Sequence, residues 1–313
     1  MRDISVIIVS WNVKDFLRKC LSSIYRFTEG LDFEVFVVDN NSSDGSPGMV
    51  KSEFPQVRLI ENHSNMGFSS ANNQALKTSS GRYRLLLNPD TEITDNAFKN
   101  MVEFMDARGD IDALGCRLLL GDGSLQRNCR HFPSLFTDFM EIFYLDSIFP
   151  KSRFFNYYRM GDWAHNDTRE VDHVYGACLL IRQEALKRVG FLDEDLFMYY
   201  DEIDLCFRIK KSGGKVLFTD KISIIHHANK SSGQDADLCE HYKQASRIHF
   251  FAKHYGKFSV ALLGLNLLVK KFLILPVLGI SHIAFRRPRD IEALKKPLDI
   301  MWSELIKYIG KDG

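Results

Sequence analysis

Residues Ile4 to Trp11 read Ile-Ser-Val-Ile-Ile-Val-Ser-Trp, a β-branched apolar run that passes directly into Asn12. A strand with one wet face would alternate apolar and polar residues. A run without alternation fits a strand buried on both faces of a parallel sheet. Phe33–Asp39 (FEVFVVD) repeats the pattern and leads into Asn40-Asn41, and Tyr83–Asn88 (YRLLLN) repeats it again before Pro89-Asp90. Between the first two runs, Phe16, Leu17, Cys20, Leu21, Ile24 and Phe27 share one face at helical spacing. Val57–Glu61 predicts a short strand and Ser69–Ser79 a helix. Strand and helix alternate, which predicts an α/β fold on a mostly parallel central sheet flanked by helices. The polar clusters fall at strand ends, and in open α/β sheets ligands bind at the carboxyl ends of strands.

Beyond residue 110 the pattern is mixed. Leu118–Arg127 predicts a hairpin turning at Gly121-Asp122-Gly123. Residues 132–163 are aromatic-rich and irregular, as for a loop or short helices over a cleft. Val171–Ile181, Lys215–Phe218 and Ile222–His226 predict strands; Gln183–Val189, Asp201–Lys211 and Asp237–His254 predict helices. The 313 residues are 45% hydrophobic and 26% charged, which excludes a disordered or fibrous chain and leaves room for a large core plus an appendage. Net charge is +1, but Lys253 onward carries 11 basic against 5 acidic residues, leaving 30 against 35 before it. The larger part is mildly acidic, so no nucleic-acid partner is expected. Six cysteines without a CxxC pair argue against a zinc ribbon or disulfide framework, and a reducing cytoplasm is expected. The apolar run after Met1 is too short for a secretory signal. The first glycine is Gly30, so the first strand is followed by neither GxGxxG nor a P-loop, and no GxSxG or HExxH occurs.

What binds at the strand ends is therefore held by side chains and by Asn and Asp turns. Asp39 either caps a turn or accepts hydrogen bonds from a nucleobase imide or a ribose hydroxyl. Asn65-Met66-Gly67-Phe68 with Ala71-Asn72-Asn73 either begins a helix or lets a ligand approach the backbone at Gly67. Asp90 and Glu92 stand two apart, so in extended chain they share a face and could hold a hard divalent cation. Asp201, Glu202 and Asp204 open a helix, where the macrodipole alone favours acids. The preceding Phe197-Met198-Tyr199-Tyr200 would supply apolar walls that raise a carboxyl toward the range of a general base. His226-His227 ends an apolar strand.

In this order and spacing, the stretches Val9-Ser10-Trp11-Asn12, Val38 to Gly45, Asn65 to Asn73 and Leu87 to Asp90 resemble the family 2 glycosyltransferases. So does Gly176 to Arg182 followed by Gly190-Phe191-Leu192-Asp193-Glu194 and Asp201 to Arg208. The likeness covers about residues 3–235 and is greatest to the bacterial rhamnosyltransferase-type branch. It implies a GT-A fold and inverting transfer from a nucleotide-diphosphate sugar, with 1–92 as the nucleotide-sugar half, 93–235 as the acceptor half and 236–313 as a helical extension. It implies donor contacts from Ser10, Trp11, Asn12, Asp39, Asn41, Asn65, Gly67, Ala71, Asn72 and Asn88. A divalent cation, Mg2+ or Mn2+, would rest on Asp90 with His226. The chain departs from the family twice. Asn88 replaces the first acid of the metal motif, and Asp201-Glu202-x-Asp204 replaces Glu-Asp-x-Asp, so matching places the base at Glu202 with Asp201 as the fallback.

The basic end carries apolar runs at Phe258–Leu268 and Phe272–Phe285, parted by Val269-Lys270-Lys271. Neither reaches the ~20 residues of a membrane span, and joining them would bury two lysines. Two in-plane or re-entrant helices are expected instead, with Arg286-Arg287-Pro288-Arg289 meeting anionic headgroups, so that 258–289 contacts a membrane surface. A helical hairpin packed on the domain, or on a second copy in a homo-oligomer, is the alternative. Lipid-linked acceptors, typical of the family's polymer-building members, agree with the membrane reading. The expectation is a peripheral or monotopic enzyme on the cytoplasmic face of the inner membrane, building a surface polysaccharide from dTDP-rhamnose onto a lipid-linked or glycan acceptor. UDP-galactose and UDP-N-acetylglucosamine are the rival donors. A nucleotide-sugar-binding scaffold without turnover is the rival class, because both acidic motifs are altered.

Overall fold

The computed structural model of the chain describes residues 2–228, 236–270, 272 and 291–311. Two compact units emerge. One is built from Met1–Arg130, His165–Phe197 and Asp201–Gln234, the other from His131–Ala164, Met198–Tyr200 and Asp235–Gly313. The 93–235 stretch is thus divided between them, and 131–164 shares a unit with the C-terminal region.

The first unit carries strands β1 (Ile4–Ser10), β2 (Phe33–Asp39), β3 (Arg58–Glu61), β4 (Tyr83–Leu87), β5 (Thr91–Glu92), β6 (Ala113–Leu119), β7 (Leu125–Gln126), β8 (Cys129–Arg130), β9 (Arg169–Glu170), β10 (His173–Val174), β11 (Cys178–Arg182) and β12 (Val216–His226). Its main sheet runs β3-β2-β1-β4-β11-β6-β12-β5. The β3-β2-β1-β4 block is parallel, as is β6 with β12, while β11 and β5 are antiparallel to their neighbours. Every residue of β1 is buried, as its unbroken apolar run requires. Helix α1 (Lys14–Phe27) lays Leu17, Cys20, Leu21 and Ile24 against Ile4, Val6, Val35 and Val37 of the sheet. Each such side chain taken from water contributes roughly 1.5–3 kcal/mol. Helices α2 (Ser46–Glu53), α3 (Phe68–Thr78) and α4 (Ala97–Asp106) complete the front of the unit.

Two segmentations differ from the sequence reading. Val171–Ile181 is two strands: β10 pairs with β8 in a small separate sheet, and after Tyr175-Gly176-Ala177 the chain joins the main sheet as β11. An apolar run records burial but not which sheet buries it. The two strands expected at 215–226 are one, β12, whose register against β6 shifts between Thr219 and Ser223. Such a bulge bends the strand and re-aims the residues beyond it.

The second unit is helical: α5 (Leu135–Ile142), α6 (Leu145–Ile148), α9 (Ala236–Tyr255), α10 (Lys257–Val269) and α11 (Ile291–Lys311). Helices α7 (Gln183–Val189) and α8 (Asp201–Lys211) belong to the first unit. Part of the aromatic stretch expected to be irregular is α5, started by a capping box in which the Thr137 N–H donates to the Ser134 hydroxyl at 3.2 Å. Most of the first apolar run is α10, which buries Val260, Leu263 and Leu267 and leaves Phe258 and Leu265 exposed. The second apolar run beyond Phe272 and the Arg286–Arg289 cluster lie outside the described residues. Among the described residues, no helix is long and apolar enough to cross a membrane.

Candidate active site

The register of β1 on β2 sets Ser10 directly beside Asp39 at the carboxyl end of the sheet. Both are buried. Asp39 Oδ2 accepts from the Ser42 N–H at 2.8 Å, while Oδ1 and the Ser10 hydroxyl have no hydrogen-bond partner. A buried polar atom left unpaired costs about 1–3 kcal/mol, so two neighbouring ones at strand ends mark a place for ligand atoms. Asn12 has a different task. With φ at 52°, it accepts from the Ser43 N–H at 2.8 Å through its side chain and donates its own N–H to the Ser42 hydroxyl at 2.9 Å. It fixes the turn that carries exposed Asn41 (φ 66°), beside half-buried Trp11.

Asn40, not singled out from the sequence, ties the next motif to this turn. Its buried amide donates to Asn65 Oδ1 at 3.2 Å and to the Gly67 carbonyl at 3.0 Å, and accepts from Asn62 at 2.9 Å. The open space expected at Gly67 is already filled. A Cβ there would sit 2.6 Å from the Phe197 carbonyl, which accepts the Phe68 N–H, and the backbone has φ +80°. Ala71 and Asn72 are buried in α3, where the Asn72 amide donates to the Phe68 carbonyl one turn back at 2.9 Å. Asn73 bonds Leu192 through both backbone groups, accepting at 3.1 Å and donating at 2.9 Å, which explains why the Asn-rich and Gly-Phe-Leu-Asp-Glu stretches occur together.

Antiparallel pairing of β12 with β5 sets His226 opposite Thr91, one residue past Asp90. His226 Nε2 lies 3.2 Å from Asp90 Oδ1 and 3.3 Å from Asn88 Nδ2, with both Asp90 and His226 buried. Its Nδ1 donates to Gln126 Oε1 at 2.7 Å. That bond turns the Nε2 lone pair toward the Asn88 amide and the Asp90 carboxylate, so the ring nitrogen and a carboxylate oxygen stand side by side as potential ligands of a cation. Two ligands at right angles about a small divalent ion stand about 3 Å apart, so the donor set fits one. Glu92 is drawn elsewhere: His227 Nε2 meets its carboxylate at 2.7 Å, and the shared face expected for Asp90 and Glu92 is split between two histidines. Gln126 has no signal in the sequence, because its partner lies a hundred residues away.

The third group opens α8. Asp204 is fully buried and paired with Arg208 at 2.8 Å, whose guanidinium also donates to the Val189 and Phe191 carbonyls. It is a structural strut. Burial raises the Asp201 carboxyl to about 7, even though a bond with Glu202 and helix N–H groups oppose the shift. Burial and the neighbouring Asp201 charge raise Glu202 well above the usual carboxylate range. Successive helical positions diverge by about 100°, yet these two side chains hydrogen-bond one another and titrate as a pair. Asp201 is 3% exposed, whereas Glu202 is only partly buried and stands beside Gly176. Gly176 is followed by Ala177, whose carbonyl accepts the Asn88 N–H at 3.0 Å, so the acid pair and the Asn88 strand end are linked through two residues. Tyr199 (φ 67°) and Tyr200 (φ 64°), immediately before α8, hold the left-handed backbone that bulky side chains rarely adopt. Each such residue costs about 1–3 kcal/mol, and they concentrate at functional sites.

A mostly parallel sheet of this order, flanked by helices and with polar clusters at its strand ends, is a GT-A fold. The comparisons agree. Residues 5–190 match glycosyl transferase family 2, and the chain belongs to that family. It is 27% identical over 264 residues to the N-acetylglucosaminyl-diphospho-decaprenol L-rhamnosyltransferase of Mycobacterium tuberculosis, covering 80% of this chain and 85% of that one. Rhamnosyltransferase WbbL of Escherichia coli is 26% identical, with 72% and 83% covered. Among solved structures, mannosyltransferase PcManGT from Pyrobaculum calidifontis, in complex with GDP-Man and Mn2+, superposes with a TM-score of 0.59 at 16% identity, over 100% of this chain and 90% of that one. GalNAc-T7 with UDP, GalNAc and Mn2+ gives 0.56 at 14% identity, over 80% and 48%. The chain is a glycosyltransferase of the hexosyltransferase type.

Proposed function

We propose that the chain transfers rhamnose, with inversion, from dTDP-rhamnose to a hydroxyl of a lipid-linked or polysaccharide acceptor during cell-surface glycan synthesis. The rhamnosyltransferases among its relatives support the sugar. The observation that carries the chemistry is the acid pair at the start of α8, because a carboxyl raised toward neutrality is matched to taking a proton from a hydroxyl near pH 7. Glu202, the more accessible of the two, takes the acceptor proton as the acceptor oxygen bonds to the anomeric carbon. The bond from that carbon to the nucleoside diphosphate breaks with its electrons on the diphosphate. Asp201 holds Glu202 in place and shares its proton. Asp39 and Ser10 receive the nucleoside through their unpaired oxygens.

A divalent cation would be held by Asp90 and His226, with Asn88 beside them, and when bound it supplies positive charge to the leaving diphosphate. The basic, apolar C-terminal region supports attachment to the cytoplasmic face of the inner membrane. The experiment is a donor panel. The full chain is incubated with dTDP-rhamnose, UDP-galactose or UDP-N-acetylglucosamine, with manganese or magnesium, and nucleoside diphosphate release is followed. Release from dTDP-rhamnose alone is expected; release only from a UDP-sugar would replace the donor, and none from any would favour the scaffold.

A further inference from the structure

The second unit bears an unusual surface. Of the fifteen large hydrophobic side chains exposed among the described residues, thirteen lie in this unit, so its exterior and not the sheet's is apolar. Six of them, Phe136, Phe139, Ile148, Phe149, Phe154 and Tyr157, come from α5, α6 and the turn that follows. The turn is a built feature. The Asn156 N–H donates to the Ser152 carbonyl at 3.1 Å, and the Asn156 amide donates to the Pro150 carbonyl at 2.7 Å. The Gly161 N–H closes the turn onto the Asn156 carbonyl at 3.2 Å, and a Cβ on Gly161 would collide with the Pro150 carbonyl. Above this frame the rings brace one another. Phe149 stacks on Phe155 at 4.8 Å, while Phe154 meets Phe155 at 5.3 Å and Phe136 at 5.2 Å, both edge-on. Aromatic side chains held this way present apolar area without further loss of rotamer freedom.

Charge identifies the occupant. From Ser147 to Gly161 there is no acidic residue, while Lys151, Arg153 and Arg159 are all exposed. Arg159 is used internally, approaching Glu141 at 3.5 Å and Asp146 at 3.4 Å. Lys151 and Arg153 remain between the exposed rings of Phe149 and Phe154. Apolar tips flanked by cations, without a compensating acid, complement a hydrocarbon boundary lined by anionic headgroups. We infer that the ridge from Ile148 to Phe154 inserts into an anionic lipid surface. It is a contact separate from residues 258–289, and it rests on the membrane reading above.

The test uses the full chain with phosphatidylcholine vesicles, with and without phosphatidylglycerol, and measures partitioning by co-sedimentation. Replacing Phe149→Ser together with Phe154→Ser should weaken binding to both vesicle types by about tenfold or more, since two rings lose their burial. Lys151→Glu with Arg153→Glu should reduce the preference for phosphatidylglycerol, the Arg286–Arg289 cluster keeping the remainder, while leaving the thermal midpoint and nucleotide affinity unchanged. If wild type binds and both variants partition as it does, the ridge is overturned while membrane attachment through other residues stands. If wild type binds neither vesicle, the ridge and the membrane reading fall together. Loss of concentration-dependent self-association, in place of lost vesicle binding, would make the ridge an interface between copies and overturn the lipid assignment.

Discussion

Glu202→Gln keeps the shape of the side chain and removes its ability to take a proton. Turnover should fall by about 10²–10⁴-fold with little change in donor affinity. Asp201→Asn should weaken turnover less; if it is the dead variant and Glu202→Gln is active, the roles are reversed. The raised pair also sets the pH dependence. A base must be ionised, so the acid limb of kcat/KM should lie well above the ordinary carboxylate value of about 4, because burial raises both Glu202 and Asp201. For stability the sign is opposite. A folded-state value raised above the unfolded one means the pair's contribution is present below about pH 4 and is lost as pH rises through about 7. The midpoint difference between Glu202→Gln and wild type should therefore move in favour of the variant between pH 5 and pH 8 by thermal denaturation. Asp90→Ala should abolish manganese-dependent binding of the nucleoside diphosphate by calorimetry without unfolding the chain. Gln126→Met, which frees the His226 ring, should weaken it by about 10–100-fold, and Gln126→Glu should restore it. Unchanged affinity in Gln126→Met would remove Gln126 from the positioning of His226. The positions of Asp39 and Asp90 at strand ends and of Glu202 at a helix start were legible because such places have local signatures. Gln126 was not, because a contact made across a sheet by residues a hundred positions apart leaves no trace in spacing.

Elements explain why so many site residues are asparagines. Asn12, Asn40 and Asn73 each bind backbone or turn groups of a distant segment, so their side chains brace the turns around the strand ends. Expecting Ala71 and Asn72 to face a ligand followed from the motif. Their burial in α3 reflects helical geometry, which turns these positions toward the sheet. Gly67 belongs to the same contact system. Gly67→Ala should destabilise the fold by about 2–3 kcal/mol, because φ +80° with ψ 173° is a region open only to glycine and the new methyl group meets Phe197. Urea unfolding would measure this, and a loss under about 0.5 kcal/mol, as at an ordinary surface site, would mean that Phe197 yields freely. Strand ends were predicted well throughout the parallel block. The division of Val171–Ile181 was not, because hydrophobicity is the same in either sheet.

At the scale of the molecule, the full chain should sediment with membranes and stay there in high salt. Each basic residue near an anionic surface contributes roughly 1 kcal/mol that salt screens, whereas apolar burial is insensitive to it. Complete release by salt would show that the attachment is electrostatic only. Truncation before α10 would be a poor test, since it removes Val260, Leu263 and Leu267 from the interior of the second unit. The appended helical region was legible from its composition and charge. Its partnership with 131–164 was not, because periodicity reports which face is buried and never by which part of the chain. That discontinuity has a consequence during synthesis. The sheet unit has all its strands once residue 226 has left the ribosome, but the segment 131–164 belongs with partners that begin at 235. The roughly eighty residues from there onward take about 4–16 s to translate. Through that interval, Met140 and Ile142 of α5, buried in the finished unit, stay exposed on a nascent chain. Chaperone dependence in this protein should therefore be concentrated between the emergence of α5 and that of the helices from residue 236 onward.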